Sequence, residues 1–130
     1  MLHEEITSQI IAAFYVVYNT LGYGFLEKVY ENALALELQK RGLRVSRQVS
    51  IQVHYEGQVV GTYFADILVE GKVVLELKAA EDIVKAHENQ LVNYLKATDL
   101  EVGLILNFGP EPGFKRKIFT NTRKPGLKTV

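Results

Sequence analysis

The sequence contains no cysteine, no apolar run long enough to cross a bilayer and no net charge. The lack of cysteine excludes a disulfide framework, a thiol nucleophile and a cysteine-based zinc site. The apolar run from Ile10 to Tyr18 is shorter than a membrane span, and the acidic residues before it, Glu4 and Glu5, are atypical of a signal peptide. We therefore expect a cytoplasmic protein that has no targeting segment and does not associate with a membrane.

The zero net charge hides an uneven distribution of charge along the chain. Residues 111–130 hold six basic side chains and one acidic residue, Glu111, so they carry +5 and the remainder carries −5. A second basic group lies within residues 40–47, where a helix should end and a strand begin. These groups either hold phosphates beside an acidic site or are solvated cations at a helix end and in a tail. Their members are Lys40, Arg41, Arg44 and Arg47, and Lys115, Arg116, Lys117, Arg123, Lys124 and Lys128.

The periodicity of apolar residues predicts one domain, residues 1–130, with the element order ααβββαββ. The last helix joins the third strand to a buried strand, which is the geometry of a crossover onto a parallel neighbour. We therefore expect an α/β sandwich whose mixed sheet is covered by helices. The predicted helices are 5–20, 24–40 with Gly42 as C-cap, and 83–97 with Asp82 as N-cap; the strands are 44–55, 58–69, a third from Val73, 102–107 and an edge strand 115–120; residues 121–130 form a basic, mobile tail.

Charged residues interrupt two apolar strands. The short segment Glu70-Gly71-Lys72 predicts a hairpin that pairs Val69 with Val73 and so places Asp66 opposite Glu76. Alternation along the strands then puts both carboxylates and Lys78 on one face of the sheet. That face would also carry Phe64, Leu68 and Val74, and the other would carry Ala65, Ile67, Val69, Val73, Leu75 and Leu77.

Two opposed carboxylates repel each other unless a cation lies between them. Ligands that are all oxygen suit Mg²⁺ or Mn²⁺, and such an ion activates water for phosphodiester hydrolysis. Lys78 is placed to orient that water or to offset developing negative charge. The alternative is that Lys78 simply forms an ion pair with Asp66 or Glu76 on a half-solvated face.

Two helices carry further candidates. Glu27 and Tyr30 share a face of the second helix with Leu34, so Glu27 either faces solvent or points at the metal. On the helix after the hairpin, Gln90 and Tyr94 lie at the boundary between its polar and apolar faces, where an amide and a hydroxyl can bind a phosphate or a metal-bound water. We interpret His54 and His87 as bystanders.

These residues resemble the PD-(D/E)xK nuclease superfamily and, within it, the small GxxExxY family, here Gly24-Phe25-Leu26-Glu27-Lys28-Val29-Tyr30. The resemblance extends from about Ile6 to Phe119 and includes Glu76-Leu77-Lys78. It implies a restriction-endonuclease-like fold with an αβββαβ core. Gln90 and Tyr94 match the QxxxY element of the RecB-like and lambda-exonuclease-like branch. One departure is Ala65, which stands where the family name has proline.

The resemblance also implies a role for each site residue. Asp66, Glu76, Glu27 and the Leu77 backbone carbonyl would bind Mg²⁺ or Mn²⁺, while Lys78 assists the nucleophilic water and Gln90 completes the catalytic group. We expect contacts to nucleic acid from Tyr30, Tyr94, Arg44, Arg47, Lys115, Arg116 and Lys117.

The leading hypothesis is a metal-dependent nuclease that acts on DNA in preference to RNA. The main alternative is an inactive nuclease-like module that binds nucleic acid or a protein partner. An enzyme acting on small phosphorylated substrates is less favoured because the chain has no phosphate loop of the GxxxxGK[ST] type. A homo-oligomer that supplies a nucleic-acid channel stays open.

Overall fold

The computed structural model describes residues 1–124 as a five-stranded sheet with helices on both faces. The strands lie side by side in chain order, and among them only the third and fourth run parallel. This is the predicted α/β architecture with the order ααβββαββ. The elements are α1 Glu4–Leu21, α2 Glu27–Lys40, β1 Val45–Tyr55, β2 Gln58–Val69, β3 Val73–Lys78, α3 Lys85–Lys96, β4 Val102–Phe108, β5 Pro112–Ile118 and a 3₁₀ turn Asn121–Arg123.

The helices follow the apolar pattern, with small changes at their ends. α1 buries Ile10, Ala13, Phe14 and Val17 along one stripe. α2 begins at Glu27 rather than at residue 24. Gly42 ends this helix, as predicted. It adopts a left-handed φ of 83°, and the Leu43 N–H donates to the Leu38 carbonyl at 3.2 Å.

The predicted hairpin register is confirmed where β2 and β3 pair. Val69 faces Val73 and Ile67 faces Leu75, as the three-residue loop required. Glu70 and Gly71 take φ values of 54° and 63°, and the Lys72 N–H donates to the Val69 carbonyl at 3.0 Å. A tight turn of this kind matches the right-handed twist of its strands.

The predicted boundaries of α3 and β5 were wrong. α3 begins at Lys85 after Val84, and its N-terminal contact runs from the Val84 N–H to His87 Nδ1 at 3.4 Å, so Asp82 is not its cap. β5 begins at Pro112 rather than at residue 115, because a tight connection from Phe108 lets it pair with β4 at once.

Residues 121–124 of the predicted tail form a 3₁₀ turn that ends at a buried lysine, and residues 125–130 lie outside the described part. Lys124 is only 7% exposed. Its Nζ donates to the Thr98 and Leu100 carbonyls at 2.9 and 2.6 Å and to Asn121 Oδ1 at 2.7 Å. This lysine therefore satisfies carbonyls of the connection after α3, and burial lowers the pKa of its ammonium.

The sheet separates two apolar cores. The larger core lies between the sheet and helices α1 and α2, and the smaller lies under α3. Gly103 on β4 lets α3 approach closely, since a Cβ there would lie 2.7 Å from Leu91 Cδ1. In the described range, 1–124, no helix combines the length and the apolar character needed to cross a membrane.

Asn107 connects the end of β4 to the segment that follows β3. Its Oδ1 accepts the Ala80 N–H at 3.0 Å and its Nδ2 donates to the Ala80 carbonyl at 2.9 Å. Gly109 lies against the same peptide, and a Cβ there would meet the Ala80 oxygen at 1.8 Å. The backbone after Lys78 is therefore held by β4 and by the glycine beside it.

We expect Gly109→Ala to destabilise the protein by roughly 1–3 kcal/mol, because a backbone carbonyl has little room to move aside. The measurement is the urea midpoint at constant m-value. Gly113→Ala is the matched control, since a Cβ at that loop-proximal glycine meets no atom within 4 Å. Equal midpoints for the two variants would contradict the proposed contact.

Candidate active site

The site begins where β2 and β3 separate. Their ladder covers only the pairs from Ile67–Leu75 to Val69–Val73, although both strands continue. At the next position the Leu77 N–H donates to Asp66 Oδ2 at 2.8 Å. A side-chain carboxylate thus takes the place of a strand carbonyl. Continued by one residue beyond the ladder, the register would put Asp66 opposite Glu76.

The prediction of strict alternation along β2 was wrong at this point. Ile67 belongs to the core under α1 and α2, whereas Ala65, two residues earlier, belongs to the core under α3. Across the strand pair, Gln48 has a left-handed φ of 49°, which is strained for a residue with a side chain. Phe64 consequently points away from the α3 core and is 58% exposed.

Glu76 is a buried carboxylate without a full set of partners. It is 8% exposed, and its Oε1 accepts no hydrogen bond from any atom of residues 1–124. Burial, followed by the nearby charge of Asp66, raises the pKa of Glu76 to about 8. Burial also raises the pKa of Asp66, and the Leu77 N–H opposes that rise in part.

Lys78 ends β3 beside the two carboxylates. Its charge favours ionisation of both Asp66 and Glu76. Nevertheless, it forms no ion pair with either of them in the part of the chain that the structure covers. The alternative in which this lysine simply neutralises one carboxylate is therefore wrong for this arrangement.

Glu27, at the start of α2, reaches the same end of β3. Its Oε2 accepts the Ala79 N–H at 3.2 Å. Together with Asp66 and Leu77 it lines a cavity of about 240 Å³ between α2 and the sheet. The polar face of α2 therefore meets the charged hairpin. The other lining residues are Lys28, Glu31 and Gln48.

The oxygen atoms at this site meet some, but not all, of the requirements for binding a hard cation. Residues 1–124 contain no group of three His, Cys, Asp or Glu side chains close enough to hold a metal ion, so Glu27 is not part of a preformed cluster of three carboxylates. Asp66 and Glu76 remain, with one carboxylate oxygen of Glu76 unpartnered. The Leu77 carbonyl projects to the same side of β3 as its N–H, which points to Asp66. All of these donors are oxygens.

Sequence reasoning missed Glu31, which organises the wall of this cavity. It is 4% exposed, and its two oxygens accept hydrogen bonds from Lys28, Arg47 and Gln48 at 2.7–3.2 Å. Burial raises its pKa, but these hydrogen bonds outweigh burial and the pKa is lowered overall. The sequence did contain a clue to the role of Glu31. This residue follows Glu27 by one helical turn and therefore lies on the same face of α2.

Tyr30 was wrongly predicted to contact nucleic acid. It is fully buried and stacks on Phe108 with ring centroids 4.4 Å apart. Its hydroxyl donates to the Gly22 carbonyl at 2.7 Å and accepts the Phe25 N–H at 3.2 Å. Tyr30 therefore fixes the loop before α2 and, with it, the position of Glu27.

Within residues 1–124, the basic residues predicted to contact nucleic acid are divided among different parts of the structure. Arg47 is engaged by Glu31 and Asn32. Arg44 lies beside the turn after β2 and faces Glu70 at 3.7 Å, at the opposite end of the hairpin from Lys78.

On β5, alternation sends neighbouring basic residues to opposite faces of the sheet. Lys117 pairs with Glu88 of α3 at 2.5 Å, whereas Arg116 donates to the Leu2 carbonyl at 2.6 Å beside α1. Lys115 is exposed and lies on the same face as Lys117. These three residues therefore do not present one surface to phosphates.

Gln90 and Tyr94 lie on α3, on the far side of Glu76 from α2. Gln90 is exposed, whereas Tyr94 is 5% exposed and packs against Tyr63 of β2 with ring centroids 5.0 Å apart. Burial, together with the charge of Glu76, raises the pKa of Tyr94 to about 12. The Tyr94 hydroxyl therefore lies near the carboxylates and stays protonated.

Comparison with known proteins identifies one family. The family model described as the PD-(D/E)XK nuclease superfamily matches residues 4–117. No curated protein matches the sequence significantly. Four chains of solved structures do match, among them the crystal structure of SSO0001, with a TM-score of 0.57 and 17% identity. That match covers 78% of this chain and 55% of SSO0001, so the chain spans about half the length of that protein. At this identity the likeness shows the fold.

We expect Glu76→Gln to change how the metal-free protein's stability depends on pH. The folded protein keeps a proton on Glu76 that the unfolded chain releases, so wild-type stability should fall relative to the variant between the ordinary pKa near 4.5 and the raised value near 8. Between pH 4.5 and pH 8 the difference in stability should change in favour of the variant by on the order of 5 kcal/mol.

The measurement is urea unfolding in EDTA across that pH range. Glu81→Gln, at an exposed loop position, is the control and should follow the wild type. Stability profiles that stay parallel for Glu76→Gln and the wild type would contradict a raised pKa at this residue.

Proposed function

Because the chain belongs to the PD-(D/E)XK nuclease superfamily, we propose that it hydrolyses phosphodiester bonds in DNA, in preference to RNA, with Mg²⁺ or Mn²⁺. The observation that carries the proposal is the pair of neighbouring carboxylates, half-buried Asp66 and buried Glu76, which lie beside Lys78 without an ion pair to it. Ionising both of these neighbouring carboxylates is costly unless a cation completes the site. A cytoplasmic location is consistent with the lack of cysteine.

Asp66, Glu76 and the Leu77 carbonyl would hold the cation, and Glu27 is the nearest further carboxylate. When bound, the ion supplies Lewis acidity at the phosphoryl oxygen and makes hydroxide available near neutral pH. The Leu77 N–H orients Asp66 by binding one of its oxygens, which leaves the other for a ligand. The Ala79 N–H orients Glu27 in the same way.

Lys78 supplies the positive charge of the site. Since neither carboxylate holds its ammonium, it can donate to the attacking water or to a phosphate oxygen that gains negative charge. Tyr94 contributes a protonated hydroxyl beside Glu76, which can donate to the same phosphate. Gln90 lies one turn before Tyr94, and we assign it to substrate positioning.

We also propose membership of the GxxExxY branch. The assignment is supported by the separate structural roles of three residues of this motif, Gly24, Glu27 and Tyr30. Gly24 takes φ 113°, a conformation that few other residues adopt, and Tyr30 anchors the loop from the core. Glu27 is then presented at the first turn of α2, next to Ala79.

A non-catalytic module that binds nucleic acid or a protein partner is the second candidate. It is favoured by the absence, within residues 1–124, of three acidic or histidine side chains grouped for a metal. Titration calorimetry with millimolar Mg²⁺ separates the two functions. An isotherm that disappears in Asp66→Ala supports the enzyme, and a flat wild-type isotherm supports the module.

We expect Asp66→Ala and Lys78→Ala each to reduce DNA cleavage with Mg²⁺ or Mn²⁺ by about 100-fold or more, because each removes a group that acts on the reacting phosphate or water. The measurement is the initial cleavage rate on linear, circular, single-stranded and double-stranded substrates. Lys72→Ala is the control for Lys78→Ala, since Lys72 is an exposed lysine at the other end of β3.

Circular dichroism and the urea midpoint establish that each variant is folded. Cleavage that persists at the wild-type rate in both folded variants would exclude the proposed mechanism.

A further inference from the structure

A groove lies beside the candidate site, between α3 and the part of β2 that extends beyond β3. Its volume is about 430 Å³, within the range of small-ligand sites. Among residues 1–124, no side chain with a fixed charge lines it. The polar and aromatic lining consists of Tyr63, His87, Asn89, Gln90, Asn93 and Tyr94.

The chemistry of this lining differs from that of a phosphate site. Phosphates are bound mainly by arginine, lysine and backbone N–H groups, and Arg47, Arg116 and Lys117 are engaged elsewhere. Primary amides, in contrast, carry both donors and acceptors and can pair with the edge of a nucleobase. Asn89, Gln90 and Asn93 bring three such amides to one groove.

The two tyrosines supply a stacking surface. Tyr94 is almost fully buried and packs against Tyr63 with an interplanar angle of 55°. Tyr63 is therefore supported on one side while 43% of it remains exposed. An exposed, supported ring is a platform on which a base can stack.

We propose that this groove binds an unpaired nucleobase, so that single-stranded DNA is the preferred substrate form. Tyr63 provides the stacking contact, and Asn93 and Asn89 provide hydrogen bonds to the base edge. The proposal rests on the proposed nuclease function, since it identifies the substrate of that same site. A duplex would bind less well because its bases are stacked on one another and cannot enter the groove.

The position of the groove connects base binding to the chemistry. Tyr94 belongs both to the groove and to the surroundings of Glu76. Tyr63 precedes Asp66 by three residues on the same strand. A base held on Tyr63 would therefore bring its own backbone phosphates close to the two carboxylates, without a basic surface to attract them.

The test is fluorescence anisotropy of the wild-type protein in EDTA, where binding is measured without cleavage. The probes are labelled oligo-dT, oligo-U, a duplex of the same length, and an abasic strand that keeps the phosphates but lacks the bases. We expect oligo-dT to bind at least about 10-fold more tightly than the duplex or the abasic strand. Oligo-U tests whether the sugar is also distinguished.

The variants separate stacking from other effects. Tyr63→Ala should weaken oligo-dT binding by about 10-fold, whereas Tyr63→Phe should retain it because the ring is kept. Asn93→Ala should weaken it by about 5-fold. Tyr55→Ala is the control, since Tyr55 is an exposed tyrosine at the far end of the same hairpin. Both tyrosine positions are exposed enough for the variants to fold, which circular dichroism verifies.

Three results would overturn the proposal: no detectable binding of oligo-dT at about 100 μM protein, equal binding of the abasic strand, or unchanged binding by Tyr63→Ala. Each differs from a failure of the nuclease proposal. Base-dependent binding without any cleavage would keep the groove and remove the catalytic function. Cleavage that proceeds at the wild-type rate in Tyr63→Ala, and equally fast on single-stranded and double-stranded DNA, would keep the catalytic function and remove the groove.

Discussion

The hydrogen bond from the Leu77 N–H to Asp66 Oδ2 determines how the rest of the site is built. It occupies the position where the β2–β3 ladder would otherwise continue, so the two strands separate after the Ile67–Leu75 pair. The separation opens a cavity towards α2 on one side of β3 and leaves the outer part of β2 to meet α3 on the other. One side chain that replaces a carbonyl therefore creates both the acidic site and the groove beside it.

The arrangement is energetically unfavourable for the protein alone. Burying a carboxylate without partners costs several kcal/mol, and the raised pKa of Glu76 shows that protonation relieves part of this cost. Glu31 illustrates the contrast, because three donors compensate its burial and its pKa is lowered. Glu31 and Glu76 are both buried, but only Glu31 has a full set of hydrogen-bond partners within the described structure. Sites that keep such an imbalance are typically functional.

Sequence reasoning was most successful where one local rule decided the outcome. The loop length set the register that places Asp66 opposite Glu76, and apolar periodicity set the order of the elements. It failed where tertiary contacts decided. The left-handed Gln48, which lies across from the broken alternation at Asp66, donates its side-chain N–H to Glu31, a residue of another element. Tyr30 looked like a binding residue, but its burial follows from Phe108, far away in the chain. The basic residues of β5 are adjacent in sequence and divided by the sheet.

The outer part of the β1–β2 hairpin has a further consequence for the motion of the molecule. Beyond Asp66, β2 pairs with β1 alone, and a two-stranded ribbon is only marginally stable in water. Its main support from the rest of the described structure is the packing of Ile51, Ala65 and Tyr63 against α3. Local opening of this ribbon therefore costs less free energy than global unfolding, and its amides should exchange with solvent faster than those of β3 and β4. The groove consequently has one rigid wall, α3, and one wall that can open.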